Sequence, residues 1–169
     1  MNVTLRKTIS LLVGFSLVLL MSTTVIAADQ QLYGTWRLVS FTQTVLATGE
    51  TRDIFGKSPH GFVNYGRDGR VLLLIVGDKR PKPPDLAKMT DQERADLFKT
   101  TIAYGGTYTF DGKTVKTRVD ISFNENWTGT EQVRHVKFEG KRLILSTIPA
   151  PASQDGKVIM AVLTWERIE

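Results

Sequence analysis

The chain has 169 residues, with 22 Lys+Arg against 17 Asp+Glu and no cysteine. The missing cysteines exclude a disulfide scaffold, thiol chemistry and lipid attachment through a cysteine, and the length sets the expectation at one domain with a core of its own. The basic residues are scattered and not striped with aromatics, so nucleic acid is not an expected partner.

At the start, Arg6 and Lys7 precede an apolar run from Ile9 to Met21 and a small-residue exit at Val25-Ile26-Ala27. This is the pattern of a secretory signal, with cleavage expected after Ala27 or Ala28. The alternative is an uncleaved anchor, for which the run is short and broken by Ser and Gly. The expected division is a signal peptide over 1–27 and one folded domain over 28–169, periplasmic or secreted, with no stable membrane insertion once the leader is gone. Losing Arg6 and Lys7 leaves 20 basic against 17 acidic residues, a net +3. An exported chain without disulfides rests on its core alone, which suits a periplasm.

Strand signals then recur between turn residues, predicting strands over 33–42, 61–66, 70–77, 105–110, 113–123, 130–138, 142–148 and 157–168. The run from Arg70 to Val76 is apolar on both faces, which predicts cover on its outer side as well. Lys79, Arg80 and Lys82 make a basic loop, either a draw for anions or simply solvated. Thr90-Asp91-Gln92-Glu93 is a capping-box pattern, and Ala95, Phe98 and Ile102 follow on one face. Together they predict a helix over 90–104, stopped by Gly105-Gly106. Val115, Thr117, Val119, Ile121 and Phe123 alternate with polar residues, the mark of a half-buried strand.

The connections order the strands. Those over 66–69, 111–113 and 139–141 are tight; those over 43–60, 78–104, 124–129 and 149–156 are long. Taken in order they alternate long and tight, so in an up-and-down meander every long connection falls at one end. The predicted fold is all-β: an eight-stranded antiparallel barrel, closed to remove its edges, with one helix near the open end. An even strand number brings the first strand's start to the last strand's end, so Trp36 and Arg167 are expected to stack as a barrel floor.

With these residues in place, the chain resembles the bacterial lipocalin-like domain family of calycin-type barrels. The resemblance rests on Gly34-Thr35-Trp36-Arg37-Leu38-Val39-Ser40-Phe41, on Phe55-Gly56 with Pro59 and Gly61, and on Tyr65 with Asp68-Gly69. It continues through Tyr104 with Gly106-Thr107-Tyr108, Asn126-Trp127 with Gly129, Val133-Arg134 and Leu163-Thr164-Trp165-Glu166-Arg167. It implies a lipocalin-like barrel with a small-molecule cavity and no defined reaction. A histidine often present in the family's fifth strand is Thr117 here, and the helix lies between the third and fourth strands instead of after the barrel.

No metal or cofactor is expected: His60 and His135 are far apart in sequence, and His135 has outward parity. The candidate ligand-lining residues are Phe55, Tyr65, Tyr104, Tyr108, Thr117, Trp127 and Arg134. If Val136 and Phe138 face the core, alternation places Arg134 and Gln132 inside. Arg134 is then either a clamp for a carboxylate, sulfate or carbonyl oxygen, or part of an internal network with a tyrosine or carboxylate. Trp127 is either a gate residue or a core anchor, and Asn126-Trp127-Thr128 is also a glycosylation acceptor pattern. The function expected is an exported binder of a small apolar or amphipathic molecule. The alternatives are a barrel enzyme of isomerase, cyclase or hydratase type using the same pocket, and a filled barrel acting as an interaction module.

Overall fold

Alternation of apolar and polar residues builds long strands, and tight Gly-containing turns fold them back on each other. The computed structural model describes residues 31–151 and 156–168; the expected leader over 1–27 lies outside the described residues. In chain order the elements are β1 (Gly34–Val45), β2 (Thr51–Asp53), β3 (His60–Tyr65), β4 (Arg70–Val76), α1 (Asp91–Lys99), β5 (Thr101–Phe110) and β6 (Thr114–Ser122). They are followed by β7 (Glu131–Glu139), β8 (Arg142–Thr147), β9 (Ala150–Pro151) and β10 (Val158–Arg167). Each long strand pairs antiparallel with the next, and β10 returns to β1 in a register running from Trp36↔Arg167 to Val45↔Ile159. This closes an eight-stranded barrel; β2 and β9 are short additions to β1 and β10 inside two of the long connections. The tight turns lie at one end, the floor. The long connections and α1 lie at the other, the mouth.

The interior takes most of the predicted apolar face; Ile121, expected inside with Val115 and Val119, instead points outward at 64% exposed, because an extra residue, Asp120, shifts the parity of β6. Leu38, Val63, Val71, Leu73, Val115, Val119, Leu145 and Leu163 are all buried. In β1 the alternation slips by one residue at a bulge between Leu38 and Ser40, so that Leu38, Phe41 and Gln43 all face inward.

Two further expectations are corrected. The helix ends at Lys99, not Tyr104, because Thr100 and Thr101 turn their hydroxyls back on it. Thr100 Oγ1 donates to Asp96 O at 2.9 Å and Thr101 Oγ1 to Leu97 O at 2.8 Å. Both satisfy terminal carbonyls in place of a further turn. The β-branched run that follows joins β5, where Tyr104 pairs with Leu73 and Ser122. Gly105-Gly106 is therefore not a helix stop but lies within β5, opposite a bulge at Asp120 of β6. The second correction concerns β4. Its outer face is not covered: Leu72 is 60% and Leu74 50% exposed.

The bulge explains Gly106. A Cβ there would lie 1.9 Å from the carbonyl oxygen of Arg118 on the neighbouring strand. Gly106→Ala is expected to cost about 3 kcal/mol, the upper end of overpacking penalties. An unchanged melting midpoint would count against the bulge.

The floor turn at Asp111 carries a pH dependence. Its carboxylate accepts from the N–H groups of Lys113 at 2.8 Å and Thr114 at 2.6 Å, which hold its pKa below the usual aspartate value. A depressed carboxylate adds stability above its unfolded pKa and loses it as pH falls through the folded value. Asp111→Asn is therefore expected to flatten the acid limb of a melting-temperature profile in the range just below the usual aspartate pKa. An acid limb of unchanged slope would remove the turn from this role.

Candidate functional site

The floor is closed by Trp36, 2% exposed, whose indole N–H donates to Leu32 O at 2.9 Å. The Arg167 guanidinium lies 4.3 Å from the Trp36 ring centre and donates to Tyr33 O at 2.7 Å and to Gln31 O. Stacking and backbone hydrogen bonds together fasten the last strand to the entry of the first. Beside them Trp165 is fully buried, and its indole N–H has no hydrogen-bond partner among the described residues.

Above the floor the interior is a cluster of tyrosines with one cation. Tyr65 and Tyr108 meet edge-on at 5.0 Å, and Tyr108 donates to Gly66 O at 2.9 Å. Burial pushes the hydroxyls of Tyr65 and Tyr104 above the usual phenol range, and the Arg134 guanidinium pulls both part of the way back. At neutral pH these phenols are therefore uncharged hydrogen-bonding groups, and the formal charge of the cluster is that of Arg134. Thr117, buried on β6, pairs with Tyr108 and with Gln132.

Arg134 is half-buried on β7. It donates to Val133 O at 2.8 Å and to Gln132 Oε1 at 3.2 Å. Among the described residues it has no carboxylate within ion-pair distance. It lies in a cleft of about 360 Å³ with Val133, Ile148, Ile159 and Ala161.

The mouth carries an aromatic row. Trp127, half-buried in the short 3₁₀ turn Glu125–Trp127, stands edge-on to Tyr104 at 6.0 Å and to Phe123 at 5.6 Å. Phe123 in turn meets Phe98 of α1 at 5.2 Å. Arg80 donates to Leu97 O and Thr101 Oγ1, both at 3.2 Å, so this part of the basic loop caps the helix C-terminus and is not merely solvated.

Phe55 sits apart from this row and packs edge-on against Phe41 at 5.5 Å. Its loop is pinned by Asp78, whose N–H donates to Phe55 O at 2.9 Å. The Asp78 carboxylate fills the space over Gly56, where φ is +85° and a Cβ would lie 2.0 Å from an oxygen. Thus Tyr65, Tyr104, Tyr108 and Arg134 come together, Trp127 joins them through Tyr104, and Phe55 packs on Phe41 of β1 instead.

Sequence reasoning missed Gln43, an inward polar residue 8% exposed near the mouth. Uninterrupted alternation from Trp36 puts residue 43 outside; only the three-residue step from Leu38 to Phe41 signals the slip. A groove of about 620 Å³ lies on the outer surface, where Gly105 leaves a notch between Leu72 and Ile121. His60 and His135 are both exposed. Among the described residues no group of three or more His, Cys, Asp or Glu could hold a metal ion.

No curated protein is matched by the chain. A family model described as a lipocalin-like domain matches residues 33–168, which takes in every strand of the barrel from floor to floor. The chain belongs to the lipocalin-like domain family.

Proposed function

We propose that this is an exported protein, matured by removal of residues 1–27, that acts in the periplasm or outside the cell. Its barrel holds one small, largely apolar molecule by a carboxylate or carbonyl head. A lipocalin-like barrel points to ligand binding in general. The observation that carries the finer reading is Arg134: a half-buried guanidinium beside buried tyrosines, bonded to a neutral amide and a carbonyl and to no carboxylate among the described residues. A guanidinium has five N–H donors, and an anionic or carbonyl oxygen is their strongest partner. Among the described residues the buried polar side chains other than aromatics are Gln43 and Thr117, which favours binding over acid–base catalysis.

The test uses Trp127. Trp36 and Trp165 are 2% and 0% exposed, so Trp127 is the tryptophan open to a soluble quencher. Titration with amphipathic carboxylates is expected to shield it and lower the acrylamide quenching constant. Quenching that no such compound changes would remove the mouth from the binding site.

A further inference from the structure

The barrel wall is incomplete beside Arg134. The β7–β8 ladder ends at Arg134↔Thr147, and β7 continues toward the mouth through Val133, Gln132 and Glu131, which among the described residues pair with β6 alone. Thr130 O accepts from Val119 N, and Val136 N donates to Lys113 O, so the even residues of this stretch bond to β6. Alternation then turns the backbone N–H and C=O of Val133 and Glu131 away from β6, into the seam where β8 is no longer their partner. On the far side the chain departs through Ile148 to Ala150, which pairs with Ile159 of β10. The cleft of about 360 Å³ occupies this seam. The Arg134 guanidinium lies at its inner end, bonded to Val133 O, the first carbonyl past the last rung.

We propose that this seam binds the carboxy-terminal end of an extended peptide, laid parallel to β7 with its terminal carboxylate on Arg134. The inference goes beyond the small-molecule reading and shares with it Arg134 and the cleft beside it. Two observations select a peptide. An alkyl chain in the seam would strip water from the Val133 N–H and from the Glu131 backbone groups and return no hydrogen bonds, whereas a peptide supplies them as an added strand. The charges also set its direction: Arg134 attracts a carboxylate at the inner end, and Glu131, exposed at the outer end, repels one. The apolar side chains of Ile148, Ile159 and Ala161 line the wall that alternate peptide residues would meet.

The experiment is a fluorescence-anisotropy titration of the full chain with a fluorescein-labelled pentapeptide of alternating valine and threonine. Saturable binding is expected with a free carboxylate, and binding about tenfold weaker with a terminal amide, the scale of one charge-assisted contact. Val133→Pro deletes a backbone N–H that β6 does not use, so it is expected to leave the barrel folded and weaken the peptide about tenfold. If that variant does not fold, the same peptide N-methylated throughout replaces it, since it keeps charge and side chains but has no N–H to donate; its loss of binding is expected. No binding of the free-carboxylate peptide, or equal binding of the amidated or N-methylated peptides, overturns the proposal. Trp127 quenching by small carboxylates is read separately, so the two readings fail independently.

Discussion

Trp36→Ala is expected to lower the free energy of unfolding by about 3–5 kcal/mol, the range for truncating a buried aromatic to alanine. The indole is almost fully enclosed, with Phe138 at 6.2 Å and the Arg167 guanidinium over its face at 4.3 Å. Truncation leaves a cavity at the floor, removes the donor to Leu32 O, and takes away the surface on which Arg167 stacks. The loss falls where β10 closes onto β1, so the variant is expected to loosen the closing ladder first. Denaturant unfolding gives the magnitude, and amide exchange at Arg167 and Ile168 gives the location. A midpoint equal to that of the parent protein would mean that Trp36 does not close the barrel.

Arg134→Met is expected to leave the barrel folded and weaken an amphipathic carboxylate by about 1.5–3 kcal/mol, the worth of a hydrogen bond to a charged group. Methionine keeps much of the aliphatic stem and deletes the fork. The two bonds that Arg134 makes in the free protein go to Gln132 and the Val133 carbonyl, both at the edge of an open cleft where water replaces the lost donor. The cost to folding is accordingly small. Unfolding of the variant would instead assign Arg134 to the structure. Retained affinity in a folded variant would place the head group elsewhere.

The barrel was legible because most strands state their period and each tight turn has its glycine. The alternation from Val115 to Val119 and the turn at Asp111-Gly112 leave little freedom to the chain between them. What misled was local propensity at a boundary. Ile102 has helical spacing from Phe98, yet the threonines before it can bond back to α1 and end it, and two strands already wait for Tyr104. The outer face of β4 misled for a different reason. Leu72 and Leu74 read as buried by composition, but burial depends on what lies above them, and nothing in the strand itself carries that information.

The candidate site was legible in part. Parity placed Arg134 with Val136 and Phe138, and the motif residues Tyr65, Tyr104 and Tyr108 converge on it through successive antiparallel pairings, with one register step between Gly105 and Gly106. Phe55 did not join them because its loop folds under Asp78, a contact between residues far apart in sequence. The seam was not legible at all. It exists because β7 starts nearer the mouth than β8 ends, a difference in strand length that no residue type marks.

The central claim is that the barrel holds a small molecule through Arg134. Native mass spectrometry of the protein, purified without detergent from the cells that make it, tests this most directly. The expected result is a mass above that of the mature polypeptide, released on denaturation and diminished in Arg134→Met. A bare polypeptide mass for the parent protein, or an adduct that the substitution leaves unchanged, would contradict it.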